Sequence, residues 1–220
     1  MELLDDHEQS ERVRKWLHEN GTAIIGGIAL GLILIFGYQW WTRSKIEHRL
    51  TAATQYLSID NAIEQDDRDG LDRIAAELAS NYADTPYAAM ALMQQAREQV
   101  EAGQRDDASA TLQRAHDIAV DESLKGIIAL RLARLKLATG DADGAIAMIN
   151  GKEVSVFEAL AAELRGDALL SKGDAAAARE AYDTALTHLD ASAPSRRIVE
   201  MKLADLGGAL DADEPGAKEG

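Results

Sequence analysis

The stretch Gly21–Trp41, GTAIIGGIALGLILIFGYQWW, constrains this chain more than any other. It holds no charged residue; the nearest charges are Glu19 and Arg43. At about 1.5 Å per residue, a helix of this length reaches about 31 Å, close to the thickness of a bilayer's hydrocarbon core. A helix can cross lipid as a single segment because it satisfies its own backbone N–H and C=O groups. Five Ile, three Leu and Phe36 each favour insertion by roughly 0.3–0.6 kcal/mol, and five glycines offset part of that. Tyr38, Trp40 and Trp41 fall where aromatic rings sit among headgroups. The apolar run exceeds the usual span of about 7–15 residues in a signal peptide, and no A-x-A-like cleavage pattern follows it. The expectation is one transmembrane helix over 21–41.

Charge narrows the partners. The 220 residues carry a net charge of −15, and the part after the span holds 20 basic and 32 acidic groups. Nucleic-acid binding runs on Lys and Arg neutralising phosphate, so no nucleic-acid partner is expected. Broad docking on anionic lipid is disfavoured for the same reason. There is no cysteine, hence no disulfide or thiol chemistry.

Residues 1–20 read as a short tail. Val13, Trp16 and Leu17 share one helical face beside Arg12, Arg14 and Lys15, which predicts a short amphipathic helix ended at Asn20-Gly21. Flanking Lys and Arg tie at three on each side of the span, so the positive-inside rule does not choose an orientation. Within the span Ala23, Gly27 and Gly31 recur every four residues, a small-xxx-small line that lets a second membrane helix approach. From Thr42 to Gln65 there is no Gly or Pro. The helix is therefore expected to continue outward for about 36 Å as a stalk.

Beyond it the chain repeats. Gly70, Gly103, Gly140 and Gly173 are spaced 33, 37 and 33 apart, and five residues after each stands Ala75, Ala108, Ala145 or Ala178. Seven before the last three come Ala96, Ala133 and Gly166; nine after come Leu112, Ile149 and Tyr182. Ala115 and Ala185 follow at twelve, where Lys152 breaks the pattern. The first unit fits worst, with Ile63 at a small position and Ala79 at a large one. Each unit reads as a helix, a glycine turn and an antiparallel helix, with small residues permitting close approach. Turn signals lie between units at Asp84-Thr85-Pro86, Val120–Ser123, Asn150-Gly151 and Ala193-Pro194-Ser195. No alternating strand pattern appears. The expected fold is all-α: the anchor, then a helical solenoid over 42–210 of about nine helices. The last helix, near 195–210, is expected to be a cap, and 211–220 a loose tail.

These positions resemble a tetratricopeptide repeat, small-x6-Gly-x4-Ala-x3-large-x2-Ala at a period near 34. That resemblance implies that the first helix of each unit lines a concave face. Matching positions are Met90, Met93 and Arg97, then Ile127, Leu130 and Arg134, then Leu160, Glu163 and Asp167. Met93, Leu130 and Leu160 would form an apolar floor, and Arg97 and Arg134 would pair with acidic groups of a partner.

Glu19-Asn20-Gly21, LKGIIALRLARLKLATGDADGAI (124–146) and LRGDALLSKGDAAAAREAY (164–182), joined to the anchor, resemble the YfgM family of ancillary SecYEG translocon subunits. The resemblance covers nearly the whole chain. It implies an inner-membrane protein with a cytoplasmic N-terminus and periplasmic repeats. It also implies association with the SecYEG translocon and a PpiD-like membrane-anchored periplasmic chaperone, to which secreted proteins would be handed.

No pattern points to an enzyme or a cofactor. The five histidines fall on different elements without H-E-x-x-H spacing, and no P-loop, Gly-x-Ser-x-Gly or Gly-x-Gly-x-x-Gly occurs. Asp66-Asp67-Arg68-Asp69 and Asp141-Ala142-Asp143-Gly144 lack the terminal Glu of a calcium loop and read as solvated turns. The function expected is a membrane-tethered interaction module; the alternative is a repeat scaffold for cell-envelope assembly or division.

Overall fold

The computed structural model describes the backbone of residues 2–207 and the side chains from Arg12 onward, Val13 and Ile24 excepted. The expected tail, 211–220, and the expected end of the cap at Leu210 lie outside the described residues. Among these residues all regular structure is helical: α1 (Glu2–Glu64), α2 (Arg68–Asn81), α3 (Pro86–Glu101), α4 (Arg105–Ile118), α5 (Glu122–Ala138), α6 (Ala142–Ile149), a 3-10 helix (Lys152–Phe157), α7 (Glu158–Ser171), α8 (Ala175–His188) and α9 (Arg196–Asp205). The chain divides into two compact units, Met1–Thr51 and Ala52–Gly220.

The first unit is α1 as far as Thr51. One helix among the described residues is long and apolar enough to cross a membrane, and it is this one. Large apolar side chains from Ile25 to Trp41 are exposed, as lipid contact would require. The break expected at Asn20-Gly21 is absent: α1 runs through both residues. Asn20 Nδ2 donates to the Trp16 carbonyl at 3.0 Å without ending the helix. A glycine weakens a helix by only about 1 kcal/mol, and no proline blocks the next turn. Past the aromatic end of the apolar run, Lys45 Nζ sits 4.0 Å from the centre of the Trp41 ring.

The second unit is an array of helix pairs. The helix continues to Glu64 as expected, but from Ala52 on it is not a free stalk, because Ala52, Ile59 and Ala62 are buried with Leu71, Ala75 and Leu78 of α2. The end of α1 is thus the first helix of the array, tied across by Gln55 Nε2 donating to Glu77 Oε1 at 2.8 Å. Then α3 pairs with α4, α5 with α6 and the 3-10 helix, α7 with α8, and α9 closes on α8. Each helix packs chiefly on its neighbours in sequence, as a solenoid requires. The core is accordingly three clusters strung along the array rather than one centre.

The turns explain the repeat. Gly103, Gly140 and Gly173 have φ of 79°, 86° and 82°. At each, the glycine N–H donates three residues back and the following N–H five back: Gly103 to Val100 and Gln104 to Gln99, Gly140 to Leu137 and Asp141 to Lys136, Gly173 to Leu170 and Asp174 to Leu169. This is the Schellman motif, which needs a left-handed residue and so favours glycine. The fourth such turn is at Asp66, φ 52°, with Asp66 N–H to Ile63 and Asp67 N–H to Ala62. Gly70, expected to be the turn of the first unit, lies inside α2, where its N–H is capped by Asp67 Oδ1 at 2.9 Å.

The first unit therefore has a register four residues earlier. The positions seven before and five, nine and twelve after the turn are Ile59, Leu71, Ala75 and Leu78, all buried, whereas counting from Gly70 gives Ile63, Ala75 and Ala79 for the first three. Replacing Asp66 with glycine is expected to raise stability by about 0.5–1 kcal/mol by relieving the left-handed aspartate. The lost Arg68 pair, exposed and 3.4 Å long, offsets little. A thermal melt unchanged or lowered by Asp66→Gly would contradict this account.

The third pair departs from the repeat for a visible reason. Helix α6 stops at Ile149, so Lys152 falls in the 3-10 helix rather than at a helical core position. That 3-10 helix lies on α5 at Gly126, where a Cβ would overlap the Glu153 carbonyl oxygen and sit 3.0 Å from Phe157 Cε2. His116 Nε2 and Glu153 Oε1, 3.0 Å apart, tie it to α4. The two acidic runs supply helix caps, Asp67 Oδ1 accepting from Gly70 N–H and Asp141 Oδ1 from Gly144 N–H at 2.8 Å, as the lone Asp174 Oδ1 does from Ala177 N–H at 3.1 Å. Lys136, then the Gly144 N–H, holds the Asp141 carboxyl below its ordinary value.

Candidate partner-binding groove

The first helices of the second and third pairs, α3 and α5, do not close on each other. Between them is a cavity of about 500 Å³. Its floor is Met93, Ala96 and Val100 of α3, Leu112 of α4, and Leu135 and Ala138 of α5. Its rim is Arg97 and Glu101 from α3, and Arg131 and Arg134 from α5. The spacing 131, 134, 135, 138 is one helical stripe, as is 93, 96, 97, 100, so each helix turns a single face to the groove.

The rim is strongly cationic for so acidic a chain. Arg97 Nε is 2.9 Å from Glu101 Oε1, an exposed i,i+4 pair. Arg131 and Arg134 are exposed and make no ion pair among the described residues. Facing arginines across the gap repel, and they leave the apolar floor accessible. The next interval differs. There α5 packs directly on α7.

Of the residues expected to form a groove, Met93, Arg97 and Arg134 are brought together at this cavity. Leu130 is not: it is 5% exposed, in a core cluster with Ala129, Ala133, Ala145 and Leu164. Helix α5 is rolled so that Arg131, one residue on, takes the rim while Leu130 faces α6 and α7. Leu160 is half-buried against the same cluster. Glu163 and Asp167 are engaged from within the chain, each 2.8 Å from Lys202 Nζ of α9. The cap helix thus bridges to the groove-lining positions of α7. Asp167 Oδ1 also accepts from the Tyr182 hydroxyl at 2.7 Å. Burial first, and then this carboxylate, push the Tyr182 hydroxyl well above its ordinary value. Burial alone would lower Lys202, but Asp167 and Glu163 outweigh it and hold the ammonium above its ordinary value.

Arg131, Val100 and Leu135 were not among the expected site residues. The 131, 134, 135, 138 stripe was available in the sequence, but the repeat alignment places the groove at 127, 130 and 134 and hides it. In α1, Ala23 is exposed and a Cβ at Gly27 or Gly31 would meet nothing within 4 Å. The small-residue line is therefore open to a neighbour.

Paired antiparallel helices, left-handed turns at a recurring interval and a groove between first helices define a helical repeat protein of the tetratricopeptide class. Residues 14–208 match the tetratricopeptide repeat-like domain family, and the chain belongs to it. It is 30% identical over 207 residues to the ancillary SecYEG translocon subunit of Escherichia coli K12, covering 94% of this chain and 99% of that one. The protein of the same name from Haemophilus influenzae is 30% identical over 92% of this chain and 98% of its own. This chain is a member of that family of ancillary SecYEG translocon subunits, the YfgM family. Among solved structures, a Podosopora anserina kinesin light chain with nearly identical TPR-like repeats shares the fold at a TM-score of 0.53 and 17% identity, over 72% of this chain and 84% of that one.

Proposed function

We propose that this chain is an accessory subunit of the SecYEG translocon, anchored in the inner membrane by α1. Its N-terminus lies in the cytoplasm and its repeats in the periplasm. There they meet a PpiD-like membrane-anchored chaperone and pass on emerging secreted chains. The observation that carries the reading is the extent of the likeness: relatives named for this role align over anchor and repeats alike, across 99% of the length of one of them. A solenoid built from neighbour contacts, with an open groove, suits protein contact.

Two experiments test it. Protease added to spheroplasts is expected to remove everything beyond Ser44 and to spare the N-terminal tail; protected repeats would overturn the orientation. Detergent-solubilised membranes are expected to yield the translocon on pull-down of the full chain. The line Ala23, Gly27, Gly31 is the candidate contact inside the membrane. Gly27→Leu with Gly31→Leu is expected to cut that recovery several-fold while leaving insertion intact. Recovery of cell-envelope assembly or division proteins in place of the translocon would replace this reading.

A further inference from the structure

We infer that the α3–α5 groove takes an acidic polypeptide segment that seats an apolar side chain on the Met93, Val100 and Leu135 floor. Its carboxylates would meet Arg131 and Arg134, with Arg97 beside them. The inference rests on reading the chain as a partner-binding module and names the chemistry of what that module binds.

Three observations lead there. The first is volume: about 500 Å³ lies within the range of roughly 300–1,000 Å³ typical of ligand pockets, room for a large side chain and its flanking backbone. The second is the lining, apolar below and cationic above, which matches a segment whose side chains alternate in the same sense. The third is charge. On a chain with 38 acids and 23 Lys and Arg, Lys136, Lys172, Arg196 and Lys202 of the array each pair with a carboxylate, whereas Arg131 and Arg134 make no ion pair among the described residues. Arg131 and Arg134 are left side by side over an open apolar surface. Guanidinium groups bind carboxylates through paired N–H donors, and do so best where water is displaced. A fatty acid brings a single carboxylate to two guanidiniums, whereas a peptide brings several on a backbone that also carries the apolar anchor.

The test uses the full chain in nanodiscs and a labelled, capped peptide with one Phe flanked by glutamates, read by fluorescence anisotropy. Binding is expected to weaken several-fold between about 50 and 300 mM salt. It is also expected to fall about tenfold or more when the peptide's glutamates become glutamines, or when its Phe becomes Ala. Arg131→Glu with Arg134→Glu is expected to abolish detectable binding, and Arg97→Glu with Arg134→Glu to weaken it strongly, both with melting and helicity unchanged because these side chains are exposed. Val100→Gln, also at an exposed position, is expected to weaken binding while keeping the charge. Undiminished binding to the folded Arg131→Glu, Arg134→Glu protein would overturn the inference, as would absence of binding to the wild type. Oleate or phosphatidylglycerol vesicles binding in place of the peptide would overturn it equally. Translocon recovery measured on the same samples separates the two readings. Its loss in the wild type defeats the proposed function, whereas failed peptide binding with intact recovery defeats only the groove's occupant.

Discussion

Gly166→Leu is expected to destabilise the array by about 1–3 kcal/mol, because the site has no room. A Cβ at Gly166 would overlap the Tyr182 ring, whose side chain is fully buried between α7 and α8. The ring cannot withdraw easily, since its hydroxyl donates to Asp167 at 2.7 Å. The aligned positions of the other pairs show how the volume is shared: Ala96 with Leu112, Ala133 with Ile149, and in the first pair the reverse, Ile59 with Ala75, all buried. The double variant Gly166→Leu, Tyr182→Ala is therefore expected to be more stable than the sum of its single changes predicts, with a coupling of about 1 kcal/mol or more. Urea denaturation of the four proteins measures this. Full tolerance of Gly166→Leu, or strict additivity, would show that the two positions do not share a space.

Lys202→Met is the second large effect expected. It removes the cation that holds Glu163, 13% exposed at its side chain, and Asp167, 30% exposed. Two neighbouring carboxylates would then face each other from α7 with no counter-charge. The expected loss is about 1–2 kcal/mol, the upper end being discounted because solvent reaches the cluster. The sign with pH follows from the raised Lys202 value. The stabilisation is fully present below the ordinary lysine range and is lost only as pH rises through the higher folded value. The gap between wild type and Lys202→Met is thus expected to stay flat from neutral pH to about pH 9. A gap that persists unchanged above the raised lysine value would mean that Lys202 acts through packing on Tyr182, 5.8 Å from the ring centre, rather than through charge, and one that closes below about pH 9 would contradict the raised value.

The small residue at position 166 and the large one at 182 were legible in the repeat, whereas Lys202 was not. The difference is one of distance along the chain. A Schellman turn is a local event that needs a left-handed residue, so Gly103, Gly140 and Gly173 announce themselves and set the phase of the buried positions around them. Where aspartate takes the left-handed place, at Asp66, the local signal is gone, and Gly70 draws the reading four residues out of register. Gly126 carries no turn at all. Its role is to let the 3-10 helix rest on α5, which is visible only once residues 27 or more apart in sequence meet.

The sequence by itself determined the apolar helix, the all-helical array, the close approaches and the turns that give it its period. These depend on side-chain size, hydropathy and φ preference within one turn or one helix pair. Only the tertiary structure decided that α9 binds α7 through Lys202, and that α5 rolls Leu130 inward and Arg131 outward to leave a cationic groove beside α3. Each of those turns on how helices that do not adjoin in sequence share volume and charge, and nothing in their local composition prescribes it.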